Sequence, residues 1–494
     1  MTNTIVLNKA ADNIRILAAS MVEKAKSGHP GGAMGGADFV NTLFAEFLVY
    51  DPSDPKWINR DRFFLDPGHM SPMLYSVLAL TGKFTLDELK QFRQWGSPTP
   101  GHPEVDVMRG IENTSGPLGQ GHAMAVGAAI AERFLVARFG DWMAHKTYAF
   151  ISDGGIQEEI SQGAGRIAGY LGLNNLIMFY DSNDIQLSTD TDAVTKEDTA
   201  AKYRAWGWNV LEINGNDADA IRGALIEAGQ EQSRPTLIIG KTIMGKGVVT
   251  EEGQSYEGKC STHGQPLSAA GASFAKTIAH LGGNPDEPFA IFPEVEKLYA
   301  DRKAELLKVA ADRKAKQAAW EKENPELAVK LHQFFSGKAP EIDYKAIAQK
   351  PGIATRAASA NVLAVFAEQI ENMIVSSADL ANSDKTDGFL KKTHAFKSGD
   401  FTGAFLQAGV SELTMAAIMN GMMLHGGVIG ACGTFFVFSD YMKPAARMAA
   451  LMEVPVKYIW THDAFRVGED GPTHQPVEQE AQIRLLEQLK NHHG

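Results

Sequence analysis

Cysteine is nearly absent from this 494-residue sequence: only Cys260 and Cys432 occur. Two thiols exclude a disulfide framework and fit a reducing compartment. Long apolar runs are missing as well, and none approaches the roughly 20 residues that a membrane-spanning helix needs. Positive charge is scarce relative to negative, with a formal net charge of −12. No global positive field therefore exists to attract nucleic acid or an anionic membrane, and neither is expected as a partner. The first residues, "MTNTIVLNKAADNIRILAAS", lack a basic stretch followed by an apolar core. They read as the start of a helix rather than as a signal peptide. A cytoplasmic location is the expectation.

What the sequence does contain is alternation. Between 147 and 250, "TYAFIS", "NLIMFYD", "WNVLEI" and "PTLIIGKTI" read as buried strands, with amphipathic stretches between them. Apolar runs alternating with helices predict a parallel sheet covered on both faces. Upstream, residues 8–140 read as helix and glycine-rich loop. From about 294 to 337 a stretch rich in Ala, Lys and Glu reads as a solvated helical linker. A second alternating unit follows, with three strand candidates: "ENMIVSSAD", "GGVIGACGTFF" and "VPVKYIWTHD". The fold class is α/β: two doubly wound, mainly parallel-sheet domains joined by a helical linker.

The strand "TYAFIS" stops at Asp153, followed by Gly154 and Gly155, and the next strand ends just before Asn183. In parallel neighbours both residues stand at carboxyl ends, the edge of an open α/β sheet where ligands bind. A carboxylate, an amide oxygen and a nearby backbone carbonyl are hard ligands suited to Mg²⁺ or Ca²⁺. The glycines allow close backbone approach, and a helix expected to begin near Gln157 would direct N–H groups at an anion. A phosphate-bearing cofactor bridged by a divalent cation accounts for the acid. A strand-end Asp that merely caps a helix accounts for it too.

Other segments narrow the choice: "KSGHPGGAMGGAD" (26–38), "RDRFFLDPGHMSPMLYS" (60–76), "TPGHPE" (99–104), "TSGPLGQG" (114–121), "STHGQPL" (261–267) and "THDAFRVGEDGPTHQP" (461–476). With the DG…N pattern, and in this order, they resemble the transketolase family of thiamine-diphosphate enzymes. The resemblance implies a diphosphate- and metal-binding domain over 1–270, a helical linker over 271–350 and a pyrimidine-binding domain over 351–494. It implies thiamine diphosphate with Mg²⁺ or Ca²⁺, the metal held by Asp153, Asn183 and the carbonyl of Ile185. Gly154, His69 and His263 would contact the diphosphate, and the loop Gly116–Leu118 the pyrimidine side. Glu412 matches the glutamate that hydrogen-bonds the pyrimidine ring, and Phe435, Phe438 and Tyr441 match its aromatic pocket. Without the resemblance, that aromatic stripe reads as ordinary core packing.

The resemblance also assigns His29, His102 and His474 to substrate hydroxyls and proton movement, with His263 among the catalytic set, and Asp470 to a ketose hydroxyl. Arg356, Ser383 and His462 match contacts to a substrate phosphate. Arginine suits such a contact because its fork binds phosphate in bidentate fashion. The implied activity moves a two-carbon ketol unit from a ketose phosphate to an aldose phosphate, in a homodimer whose active sites are shared between subunits. His145, His280, His332, His394, His425, His492 and His493 read as structural or surface residues, and His122 receives no role. Three departures stand out: Ser152 replaces the usual glycine before Asp153, Glu159 and Asp184 add carboxylates near a diphosphate, and the second domain reads as C-terminally incomplete, with no third. An impaired fragment, a dihydroxyacetone synthase and a 1-deoxyxylulose-5-phosphate synthase remain alternatives.

Overall fold

A computed structural model describes residues 2–464 and 467–486. Nine strands are found among them: β1 Arg62–Leu65, β2 Thr147–Ser152, β3 Leu176–Ser182, β4 Asn209–Asn214, β5 Thr236–Lys241, β6 Met373–Ser377, β7 Phe405–Gln407, β8 Ile429–Phe435 and β9 Lys457–Thr461. The helices used below are α1 Thr4–Ala25, α2 Ser71–Leu80, α3 Gln120–Phe139, α4 Asp153–Gln157, α5 Glu159–Leu171, α6 Ala218–Gln230, α7 Pro293–Glu323, α8 Pro325–Phe335, α9 Thr355–Gln369, α10 Glu412–His425 and α11 Ser439–Leu451. No helix among the described residues is long and apolar enough to cross a membrane. The chain forms two compact units. The first comprises Met1–His122, Lys146–Glu158 and Leu176–Lys314, and the second Ala123–His145, Glu159–Asn175 and Ala315–Gly494.

In the first unit five parallel strands form a sheet in the order β1-β2-β3-β5-β4. Every residue of β1, β2 and β3 is buried, as a sheet covered on both faces requires. Phe39, Phe150 and Phe179 pack together at its centre, Phe39 stacked on Phe179 at 3.9 Å between ring centroids. Each such buried ring contributes about 1.5–3 kcal/mol by leaving water. Residues of α1, α2 and α6 join the same core. So do Val295, Leu298 and Tyr299 of α7, and the Tyr299 hydroxyl donates to Asn41 Oδ1 at 2.9 Å. The expectation of a solvated linker is therefore corrected. From Val295 to Ala310, α7 buries a stripe at helical spacing, which its many Lys and Glu residues hide in the sequence.

The second unit carries a four-stranded parallel sheet ordered β7-β6-β8-β9. Its centre of packing is the crossing of α3 and α10. A Cβ added to Gly127 would collide with the Ile418 carbonyl, and one added to Gly421 with the Met124 carbonyl. Two glycines thus let the helix backbones touch, which no larger residue permits. Nearby, a Cβ on Gly163 of α5 would strike the Thr414 side chain.

Two strand expectations and one helix expectation need correction. β1 lies in a region expected to be helix and loop, and β7 makes a fourth strand where three were expected. Both are very short, four and three residues, so neither shows a period. The helix expected to begin near Gln157 begins instead at Asp153, with Ser152 as its N-cap. Two glycines at its start read locally as loop, yet the cap fixes the turn.

Candidate active site

Register places the two key residues. In the β2–β3 pair Ser152 lies opposite Asp181, so Asp153 and Asn183 leave neighbouring strands at their carboxyl ends. Ser152 Oγ accepts from the Gly155 N–H at 3.4 Å, so the departure from glycine here serves as a cap. Asp153 is buried. Its Oδ1 accepts from the Tyr180 hydroxyl at 2.6 Å, and its Oδ2 from the N–H groups of Asn183 and Asp184 at 3.1 and 3.0 Å. Burial pushes this carboxyl up to about 6 despite those donors. Asn183 is held at both ends of its amide: Nδ2 donates to Asp181 Oδ2 at 3.1 Å, and Oδ1 accepts from the Ile185 N–H at 3.0 Å. Thr242 donates to the other oxygen of the fully buried Asp181. Tyr180, Asp181 and Thr242 thus orient the acid and the amide, roles the sequence does not announce because each reads as a strand residue.

Four histidines converge in the same unit. His29 lies 5.2 Å from His69, 5.9 Å from His263 and 6.5 Å from His102 between ring centroids, and His69 stacks on His263 at 5.3 Å. Burial lowers the pKa of all four, with mutual repulsion and Arg93 adding to it at several of them; His29 falls to about 4. At neutral pH they are uncharged imidazoles, each with a donor and an acceptor nitrogen. Arg93 reaches His29 Nδ1 at 3.5 Å and Ser27 Oγ at 2.8 Å. A guanidinium only donates, so Nδ1 accepts and the His29 proton stands on Nε2. Arg93 is a further residue the sequence leaves unmarked. His263 Nδ1 is buried with no hydrogen-bond partner among the described residues.

The glycine loops close around this group. A Cβ on Gly68, beside His69, would lie 2.8 Å from the Gly116 nitrogen; one on Gly154 would lie 3.0 Å from Leu118. His102 is the nearest neighbour of Gly116, at 3.7 Å from its Cβ position. Thus Gly116, Leu118, Gly154, His69 and His102 share one cradle that side chains would fill. Asp184, in the left-handed region at φ +64°, pairs with Lys241 Nζ at 2.8 Å, and Glu159 is exposed. Asp tolerates that backbone region better than most residues, which explains how it stands where glycine is common. His122 is fully buried with neither ring nitrogen hydrogen-bonded among the described residues, and burial lowers it to about 3.

The second unit holds the remaining candidates, most of them in two groups. Arg356 Nη1 donates to His462 Nε2 at 2.6 Å and to the Ser383 carbonyl at 3.3 Å. Ser383 therefore meets Arg356 through its backbone. Arg356 and His462 line a cavity of about 380 Å³ with Thr355, Ser359 and Thr461. Burial and the Arg356 charge lower the His462 pKa, outweighing Glu469 and Asp470, which pull it up from nearby. The rings form the second group. Phe435 stacks on Phe438 at 6.0 Å, Phe438 meets Tyr441 at 6.1 Å, and His474 stands edge-on to Phe438 at 5.3 Å. His462 lies against Phe435 at 3.7 Å, joining the two groups. Glu412 opens α10 and is buried. A helix N-terminus favours carboxylate, yet burial dominates and raises its pKa.

The donor set fits the group the resemblance implies. Asp153, the Asn183 amide oxygen and the Ile185 carbonyl are hard oxygen ligands, and Asp153 is a buried carboxylate short of positive charge. The neighbouring glycine cradle and the unpartnered His263 nitrogen offer room and a polar contact for an anion.

Comparison with known proteins gives the same direction. Residues 6–340 match the model of the transketolase thiamine diphosphate binding domain, and 351–492 match the transketolase pyrimidine binding domain. The chain is 43% identical to the transketolase of Geobacillus stearothermophilus and 42% identical to that of Bacillus subtilis, in each case over 97% of this chain and 72% of the relative. Among solved structures, transketolase from Leishmania mexicana superposes with a TM-score of 0.92 at 37% identity, covering 98% of this chain and 72% of that one. A Pichia stipitis transketolase in complex with sedoheptulose 7-phosphate gives 0.91 at 38% identity, covering 97% and 72%. Over nearly its whole length, in both domain models and in the placement of its glycine loops, this chain belongs to the transketolase family.

Proposed function

We propose that the chain is a transketolase, moving a two-carbon ketol unit from a ketose phosphate to an aldose phosphate. The observation that carries this reading is the gathering of four neutral histidines beside the Asp153–Asn183 strand ends and the glycine cradle. Thiamine diphosphate, when bound, supplies a nucleophilic carbon and an electron sink. Asp153, Asn183 and the Ile185 carbonyl hold Mg²⁺ or Ca²⁺, and Gly154, His69 and His263 hold the diphosphate. Leu118 and Gly116 bound the cofactor on the pyrimidine side. Glu412, whose carboxyl burial makes more basic, would share a proton with the pyrimidine ring, which Phe435, Phe438 and Tyr441 would face. Raised basicity at a buried acid is what such sharing requires.

On the substrate, His29 offers its Nε2 proton to a sugar hydroxyl, and His102, His263 and His474 donate or accept at neighbouring oxygens. Neutral imidazoles suit this because they can do both near pH 7. Asp470 accepts from a ketose hydroxyl. Arg356, with His462 and Ser383, binds the substrate phosphate at the open cavity. These residues divide between the two units. The domain scheme is 1–270 for diphosphate and metal, 271–350 as linker and 351–494 for pyrimidine, with sites shared between the subunits of a cytoplasmic homodimer. A coupled assay on the purified chain with a ketose phosphate donor, an aldose phosphate acceptor, thiamine diphosphate and Mg²⁺ tests the proposal. Turnover dependent on both additions is expected. Cofactor binding without turnover would favour an impaired protein instead.

A further inference from the structure

Arg93 combines three features that folding alone disfavours. Its backbone sits in the left-handed region at φ +61°, which residues with a Cβ seldom occupy. Its guanidinium is half-buried, and burial lowers its pKa with no carboxylate among the described residues to offset the effect. Its Nε is buried with no hydrogen-bond partner among them either. Such features persist where a fixed position has a use. The surroundings fix this one. The Arg93 N–H donates to the Thr99 carbonyl at 3.0 Å, and the hydroxyl of the fully buried Thr99 donates to the Glu88 carbonyl at 3.0 Å. The guanidinium lies along Gly101, where a Cβ would stand 2.7 Å from Nε and 2.9 Å from Cζ. A side chain at 101 would push it away. So placed, Nη1 donates to Ser27 Oγ at 2.8 Å and Nη2 to His29 Nδ1 at 3.5 Å.

For His29 this placement has a chemical consequence. An arginine N–H aimed at Nδ1 occupies the lone pair that a second ring proton would need. An imidazolium there would set N–H against N–H and one positive charge beside another. The other influences on His29 push the same way: burial first, then His263, with His102 after Arg93. His69 is the remaining ring against it, at 5.2 Å. Ser27 carries no charge, and no carboxylate among the described residues draws a proton onto the ring. Arg93 acts on His102 in the same sense.

We infer that Arg93 is a positioning residue for the proposed transfer, locking His29 as an uncharged ring that donates from Nε2 and is barred from a second proton at Nδ1. Its consequence for turnover rests on the transketolase reading; its geometry does not. The sign of the pH dependence follows. In the parent, His29 stays neutral until pH falls to about 4. Without Arg93 the Nδ1 lone pair is open, so the second proton binds at higher pH. Burial and His263 still act, so the new value stays below the ordinary one of about 6.5. The acid limb of turnover should move up with it, because an imidazolium has no acceptor nitrogen to offer a sugar hydroxyl.

The test uses the full chain, first without cofactor. Imidazole ¹⁵N spectra, with the His29 signal assigned by its loss in His29→Asn, should show the ring protonated at Nε2 alone at pH 5.5. Arg93→Gly and Arg93→Asn suit the left-handed backbone, so the fold is kept. In both, the His29 titration should rise by half to one pH unit, about three- to tenfold in proton affinity. Guanidinium ion at millimolar concentration, filling the space beside Gly101, should return it toward the parental value. With thiamine diphosphate and Mg²⁺ bound, the acid limb of kcat/KM should shift by the same amount and be rescued by the same ion. A parental His29 already doubly protonated at pH 5.5 would overturn the inference. So would a His29 titration unmoved in both variants, which would assign Arg93 to the fold alone. Absence of turnover in the parent strikes the transketolase reading instead, and the titration then decides by itself.

Discussion

Asp153 accepts three hydrogen bonds within the chain and still has its pKa raised by burial, so what it lacks is a cation. Asp153→Ala should therefore weaken thiamine diphosphate binding in Mg²⁺ by roughly 10- to 100-fold, the loss of one charged contact. Calorimetry with and without Mg²⁺ reads this, and an unchanged metal dependence would show that the metal sits elsewhere. Glu412→Ala removes the proton donor but leaves α10 its Ser411 cap position. Exchange of the C2 hydrogen of bound cofactor should slow by roughly 10²–10⁴-fold, the usual range for a general acid; exchange at the parental rate would assign the proton to another group. The histidine cluster carries a pH dependence of its own. With folded pKa values below the unfolded one, these rings stabilise the cofactor-free chain fully above about 6.5. That contribution is lost as pH falls toward about 4, the value for His29. Urea midpoints at pH 7, 6 and 5 should fall more steeply for the parent than for His29→Asn.

Elements were legible where burial wrote itself into composition. β2 coincides with "TYAFIS" residue for residue, β5 and β8 fall inside their expected runs, and β3 passes the end of its run by one residue, Ser182, because strands buried on both faces are continuous apolar stretches. β1 and β7 escaped for lack of length. The start of α4 escaped because its cap, Ser152, ends a strand and its next residues are glycines. Asp153 and Asn183 were legible as ligands at strand ends and the other candidates only through the family resemblance, while the orienting partners Tyr180, Asp181 and Arg93 depend on strand register and tertiary approach. The crossing of α3 and α10 was invisible for the same reason: Gly127 and Gly421 are 294 positions apart and meaningful only together. Replacing either by Ala should destabilise the second unit by roughly 1–3 kcal/mol, the usual cost of overpacking. Gly223, whose Cβ direction is open, is the control: Gly223→Ala in α6 should be neutral or slightly stabilising. Thermal unfolding of the three variants orders them, and equal midpoints would refute the close crossing.

At the scale of the molecule, the proposed shared sites predict complementation. If the first unit of one subunit serves the second unit of its partner, then mixing Asp153→Ala with Glu412→Ala protein gives mixed dimers with one intact site. Random re-association should restore about a quarter of parental activity, as two-fold symmetry dictates. No recovery after mixing, with mixed dimers verified by mass, would place each site within one subunit. The division of the chain has a consequence in time as well. The second unit is built from three separate stretches, and α3 emerges from the ribosome long before α10. At synthesis rates on the order of 10 residues per second, about half a minute passes between Gly127 and Gly421. During that interval the notched face of α3 has no helix to receive it, so its exposed Ala, Met and Val side chains make the half-made chain a client for chaperones. A crossing that is tight in the finished protein is, for the nascent one, an obligation to wait.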